Sequence, residues 1–203
     1  MRKLVVLTFM TLDGVMQAPG GPEEDPSDGF RYGGWSFPYF DEFMGQVMAT
    51  QMNHDFELLL GRKTYEIFAS YWPNVDEEKN YIAAAFNKTK KYVISTSLKK
   101  AKWKNSILIH KNVPDEIRTL KEMDGPELQV HGSGNLIQTL LKHDLIDELW
   151  LKIFPVVVGS GKKLFSNGNL AGGFELIESK TSPLGVIVGN YKRTGEVKTG
   201  TFA

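Results

Sequence analysis

Cysteine is absent from the 203 residues. That excludes a disulfide framework, a thiolate metal site and a cysteine nucleophile. Net charge is missing too, since 24 Lys+Arg offset 24 Asp+Glu. A dedicated binder of nucleic acid or of an anionic membrane surface carries a basic excess, so neither is the expected partner. The lysines between Lys88 and Lys104, with Trp103 among them, do not change that balance. No apolar run approaches the roughly 20 residues that cross a bilayer. The segment Met1 to Leu7 passes from charged to apolar and stops at Asp13-Gly14 without a small-residue cleavage site. It reads as a strand and not as a signal peptide, and a soluble cytoplasmic protein is the expectation. There is no G-x-G-x-x-G after the first strand, no Walker A sequence, no G-x-S-x-G and no H-E-x-x-H. His54, His110, His131 and His143 lack metal-ligand spacing, so no metal is expected.

What remains is an ordinary globular composition, 41% hydrophobic and 11% aromatic, enough for one domain over 1–203 with one large core. Short β-rich runs predict strands at Leu4 to Met10, Phe56 to Leu60, Lys91 to Ile94, Ile107 to Ile109, Leu128 to Val130 and Glu148 to Val158. A hairpin of Phe174 to Thr181 and Val186 to Lys192 follows, turning at Pro183-Leu184-Gly185. Helical periodicity predicts a helix opened by Pro38, then Arg62 to Trp72, Asp76 to Phe86 with Asp76 as N-cap, Pro114 to Met123 and Asn135 to Lys142. Alternating strands and helices followed by strands predict an α/β fold, a mostly parallel sheet between helices with an antiparallel edge. Residues from Asp13 to Phe37 carry six glycines and three prolines and fit no regular element. A loop that long is a lid, a binding loop or a disordered insertion, the last suggested by Glu23, Glu24, Asp25 and Asp28.

Three strand-to-helix turns have the chemistry of an anion site. Gly61-Arg62-Lys63-Thr64 combines a glycine with two cations and a hydroxyl. His131-Gly132-Ser133-Gly134-Asn135-Leu136 opens the last helix on two glycines, and Ser95-Thr96-Ser97 offers three hydroxyls. Glycine lets a ligand approach the backbone, and a helix N-terminus presents free N–H groups and a positive dipole to a phosphate. Such turns also serve as plain connectors, and the serines as backbone caps. All three follow strand carboxyl ends, the edge at which open α/β sheets bind ligands.

Thr11-Leu12-Asp13-Gly14, then Gly-Arg-Lys-Thr-Tyr, Tyr-Val-Ile-Ser-Thr-Ser and Gly-Ser-Gly-Asn-Leu, in that order, resemble the dihydrofolate reductase-like family. The ending, Leu145-Ile146-Asp147-Glu148-Leu149 with Pro155 and Val158-Gly159-Ser160-Gly161, is most similar to the reductase domain of bifunctional riboflavin-biosynthesis deaminase/reductases. The resemblance runs from about Lys3 to Tyr191. It implies a three-layer αβα sandwich around a mixed sheet of about eight strands, NADPH as cofactor, a small heterocyclic substrate and a homodimer formed through the terminal strands. It further implies that Gly61, Arg62 and Thr64 meet the pyrophosphate and 2′-phosphate region. Lys63 and Ser95, Thr96 and Ser97 would favour the 2′-phosphate, and Gly132, Ser133, Gly134, Asn135 and Leu136 would face the pyrophosphate. The deaminase half needs an H-x-E…P-C-x-x-C zinc site, so only the reductase half is resembled.

Hydride chemistry needs a proton source as well, and Asp13, Asp41 and Glu42 are the candidate catalytic residues. Asp13 is equally a turn former in Asp-Gly, and Asp41 and Glu42 are equally first-turn helix charges. Trp35, Phe37 and Phe40 suit either stacking on a flat ring or the core. A non-catalytic NADP(H)-binding module stays open as the alternative function.

Overall fold

A computed structural model describes residues 1–165 and 171–202. Its sheet takes eight strands: β1 (Leu4–Thr11), β2 (Phe56–Gly61), β3 (Lys91–Ile94), β4 (Ser106–Ile109), β5 (Glu127–His131), β6 (Glu148–Phe154), β7 (Gly173–Thr181) and β8 (Ile187–Gly195). They lie in the order β4-β3-β2-β5-β1-β6-β8-β7. The pairings from β4 through β6 are parallel, while β6–β8 and β8–β7 are antiparallel. Five helices connect them: α1 (Glu42–Gln51), α2 (Arg62–Tyr71), α3 (Tyr81–Lys88), α4 (Val113–Glu122) and α5 (Gly134–Lys142).

Strand alternation divides the core. Leu4, Val6 and Met10 of β1 turn one way, with Leu128, Val130, Leu149 and Leu151, and α4 and α5 cover them with Ile117, Leu120, Ile137 and Leu140. The other face is split between two clusters. Met44 of α1 joins Phe154, Trp35 and Val188, while Tyr65 of α2 and Phe86 of α3 join Phe56, Leu58 and Leu60. The expected three-layer αβα arrangement is therefore the one observed.

Three element boundaries correct the sequence expectation. Pro38 lies in a short 3-10 turn, Phe37–Tyr39, and α1 starts after Asp41, whose Oδ1 accepts from Met44 N–H at 2.9 Å. Phe40 thus falls outside the helix. The third helix starts at Tyr81, not Asp76, because Asn80 Oδ1 takes the N–H groups of Ile82 and Ala83, whereas Asp76 only closes a local turn onto Glu78. Residues 76–79 carry no apolar group to pack, and the apolar stripe starts at Tyr81. Finally, β6 ends at Phe154, since Pro155 cannot donate to the ladder.

The long segment after β1 is packed against the sheet edge. Val15, Met16, Gln17, Ala18, Phe30 and Trp35 are buried. Val15 bridges to Lys163, Leu12 N–H donates to Val156 O, and Met16 N–H donates to Lys162 O at 2.8 Å. At Gly161 a Cβ would stand 2.7 Å from Val15 Cγ1 and 3.0 Å from Phe30 Cε2, so only glycine fits that crossing. The strap (residues 12–36) and the loop after β6 form one unit.

Candidate active site

The connection from β2 leads through α2 to β3 on one side, and that from β5 leads through α5 to β6 on the other. Because β2 and β5 are neighbours, the strand order reverses between them. Ligand crevices form at the carboxyl ends of such a pair. Here Gly61 and the Gly132-Ser133 turn face one another and are bonded together. Gly61 N–H donates to Ser133 Oγ, and Ser133 N–H donates to Thr64 Oγ1, both at 2.9 Å. Gly132 and Ser133 both take left-handed backbone, with φ of 59° and 51°. For serine that costs on the order of 1 kcal/mol, and the two bonds to the β2–α2 turn hold it there.

Neither α2 nor α5 has a side-chain N-cap. Ordinary helices satisfy their first N–H groups with a Ser, Thr, Asp or Asn side chain. Two uncapped N-termini, fixed side by side at a switch point, make a donor set for a phosphate-bearing ligand. A Cβ added at Gly134 would meet only Met16 Sδ, at 3.9 Å. The Met16 side chain of the strap thus lies beside Gly134, at the start of α5.

The other predicted residues divide by what they touch. Ser95 follows Ile94, the β3 partner of Gly61, which puts the hydroxyl turn next to the α2 N-terminus. Ser95 itself is buried and its Oγ accepts from Leu98 N–H at 2.9 Å, so it caps backbone and leaves the exposed Thr96 and Ser97 to offer hydroxyls. Leu136 is a core side chain, so it contributes backbone alone, and Asn135 is exposed. Arg62 is exposed and pairs with Glu66 at 3.1 Å. Lys63 lies 3.9 Å from Asp25 of the strap.

The three carboxyl candidates separate as clearly. Asp13 accepts from Thr11 Oγ1 at 2.6 Å, Gly159 N–H at 2.9 Å and Val158 N–H at 3.3 Å. The Thr11 hydroxyl first, and then those amides, hold its carboxyl below the usual value despite some desolvation. It is an anchored carboxylate joining β1 to the loop after β6. Glu42 is exposed, and its Oε1 accepts from Gln46 Nε2 at 3.3 Å. Asp41 keeps Oδ2 buried with no hydrogen-bond partner, next to Phe40, whose ring meets Phe9 at 6.3 Å. Trp35 is core, edge-on to Phe154, while Phe37 is exposed.

Over most of the chain, residues 2–188 match the model of the RibD C-terminal domain. The chain belongs to the RibD C-terminal domain family. Among relatives of this RibD-type chain, the Bacillus subtilis (strain 168) uncharacterized protein YyaP is 28% identical over 193 residues, 92% of each chain. A Shewanella sp. PV-4 protein named for riboflavin biosynthesis has a similar structure, with a TM-score of 0.67 at 22% identity over 95% of this chain and 99% of that one. Dihydrofolate reductase from Enterococcus faecalis, solved with NADP(H), gives a TM-score of 0.61 at 13% identity over 94% and 96%. The RibD-type chain thus has the dihydrofolate reductase-like α/β fold, and its family is one of reductase domains.

Sequence reasoning missed several residues that shape the site. Gln17 donates to the carbonyls of Asp25 and Ser27 at 3.0 Å, and its own Oε1 accepts from Lys162 N–H at 3.0 Å. Lys162 Nζ in turn binds Asp25 and reaches Ser27 Oγ at 2.6 Å. A polar residue among glycines gives no periodic signal, so these staples were not legible. Also missed was a buried seam beneath α1. Lys152 Nζ donates to Gln51 Oε1 at 2.5 Å, Gln129 Nε2 donates to Gln51 O at 3.1 Å, and Gln129 Oε1 meets His131 Nε2 at 3.0 Å. Burial pushes Lys152 down to about 7 and, with the Lys152 charge adding to it, His131 to about 3. The histidine is structural and neutral. A cavity of about 670 Å³ opens beside α2, between Ala69, Pro73, Leu98 and Lys102.

Proposed function

We propose that this chain is an NADPH-dependent reductase that transfers hydride to a small heterocycle of the 5-amino-6-(5-phosphoribosylamino)uracil or pterin type. The observation that carries the reading is the bonded pair of uncapped helix N-termini at the β2/β5 switch point. The family match and the NADP(H) complex of the Enterococcus faecalis neighbour support it. The donor set also fits the cofactor. The first amides of α5 would hold a diphosphate, with Gly134 adding no side chain of its own beside Met16, and Arg62, Lys63, Thr96 and Ser97 would supply charge and hydroxyls for the 2′-phosphate. No carboxylate of the NAD-selective kind is needed in that scheme.

When bound, NADPH supplies the hydride; the protein's part is to hold the reactants, exclude water and deliver a proton. The strap shields the crevice with Met16 beside the start of α5 and Trp35 against Phe154. Asp41 is the candidate to meet a substrate nitrogen, because its Oδ2 is buried without a hydrogen-bond partner. The protein works in the cytoplasm as a homodimer, its partner strand docking on β7, where Leu176 and Ile177 are half exposed.

Loss of the NADPH absorbance band is the test, with ribosylaminopyrimidine and dihydropterin substrates. Turnover by the wild type and a fall of roughly 100-fold or more in Asp41→Asn support the reading. Tight NADPH binding without turnover on either substrate establishes instead the non-catalytic NADP(H)-binding module.

A further inference from the structure

Lys63, the cation next to the α2 N-terminus, already faces a carboxylate. Asp25 Oδ1 lies 3.9 Å from Lys63 Nζ, while Asp25 Oδ2 takes Lys162 Nζ. Asp25 belongs to the strap, and its position there is set from several directions. Ser27 Oγ donates to its Oδ1 at 2.5 Å, and Gln17 grips its carbonyl and that of Ser27. The strap therefore touches both phosphate turns, α5 through Met16 and α2 through Asp25. The two grips differ in strength. Lys162 is two-thirds covered and bonded to two strap oxygens, whereas Lys63 is 59% exposed and its contact with Asp25 is long. Desolvation acts to raise the Asp25 carboxyl, but the Lys162 and Ser27 hydrogen bonds and the charges of Lys162 and Lys63 leave it below its ordinary value, hence ionised.

We propose that Asp25 is a built-in competitor for the cofactor's phosphate at Lys63, so that cofactor binding and the hold of the strap on α2 are linked. This rests on the NADPH reading above. A phosphate reaching Lys63 has to displace the Asp25 carboxylate, and by reciprocity a strap seated on Lys63 weakens phosphate binding by the same factor. The strap keeps its Lys162 anchor throughout, so it loosens only at its α2 end. Asp25 in this scheme tunes cofactor choice, because the NAD cofactor lacks the phosphate that would compete.

The test combines calorimetric titration of NADPH, NADH and inorganic pyrophosphate with amide hydrogen exchange over Gly20 to Gly29. Asp25→Asn keeps the side-chain shape and removes the charge. It should bind NADPH about threefold tighter, the scale of one exposed ion pair, with a smaller change for NADH. Exchange in the strap should rise at least twofold when NADPH saturates the wild type, and should be fast and indifferent to NADPH in the variant. Lys63→Gln reads the same contact from α2: the strap loosens equally, but NADPH binds more weakly. Opposite effects on affinity with the same effect on the strap support the proposal. If wild type and Asp25→Asn bind NADPH equally, or if the strap ignores saturating NADPH, it is overturned while the cofactor reading stands. Failure of all three probes to bind any of the proteins overturns the cofactor reading and the proposal together.

Discussion

At the amino edge of the parallel strands, charge is matched to charge. Arg2 meets Glu57 at 2.5 Å, Lys90 reaches the same carboxylate at 3.1 Å, Lys3 meets Glu148 at 2.7 Å and Lys121 meets Asp147 at 2.6 Å. Asp147 also accepts from Leu4 N–H at 2.7 Å, so the pairs tie the start of β1 to the approach to β6. At the carboxyl edge, α2 and α5 have no side-chain caps, Arg62 and Lys63 are exposed, and one oxygen of Asp41 has no partner. At the amino edge each pair has one partner largely covered, whereas at the carboxyl edge Arg62 and Glu66 are both half exposed and Lys63 has only the long 3.9 Å contact with Asp25. The same residue types occur at both edges, and the difference lies in how deeply and how closely the protein's own counter-group holds them.

That contrast is open to direct attack. Arg2→Met strands a largely covered Glu57, so unfolding stability should fall by about 3 kcal/mol, with Lys90 limiting the loss and NADPH affinity unchanged. Denaturant titration reads it. Burial acts to raise the Glu57 carboxyl, but Arg2 and Lys90 hold it below its ordinary 4.5, so its contribution is present above that pH and is lost as the pH falls further. The variant should show a shallower acid transition.

Gly134→Val attacks the other edge. A Cβ there reaches only Met16 Sδ, at 3.9 Å, and the position has ordinary φ, so the protein should fold, while NADPH affinity falls at least about 30-fold, or 2 kcal/mol. A folded variant with normal affinity in calorimetry would make the α5 turn a mere connector.

Between the edges, Lys152 sharpens the comparison, since among the described residues its ammonium is held by Gln51 and not by a carboxylate. Its folded value of about 7 lies below its ordinary 10.5, so the unfolded chain holds the proton over that interval and the native one does not. Stability should therefore rise with pH from about 7 to 10.5. Lys152→Met should flatten the rise and add about 1–2 kcal/mol at pH 7, as apolar replacements of buried charge do. Thermal melts across that range check both.

How much of this was legible in the sequence follows from the range of the forces involved. The strands and the two glycine turns were, because β-rich runs and a glycine at a strand end are local signals. Helix starts were less so. Asp76 and Asn80 are both good caps, and the choice went to the one whose Oδ1 reaches Ile82 and Ala83. Asp13 looked like acid chemistry because its three donors come from Thr11 and from residues some 145 positions away. Asp25 looked like part of a solvated acidic loop because Lys162 and Lys63 are far off in the chain. Long-range polar pairing leaves no period to read.

The outer strand β7 bears on how the protein behaves at high concentration. Its nine residues form one border of the sheet, with Leu176 and Ile177 half exposed, the kind of border that recruits further strands and grows into fibres. Two features limit that growth. Glu175, Glu178 and Lys180 place charge along the strand, and the register slips between Leu176 and Glu178, which twists the ribbon. A twisted, charged border offers no flat template for strand after strand, and two slips in the ladder, at Gly173/Phe174 and at Leu176/Glu178, build that twist.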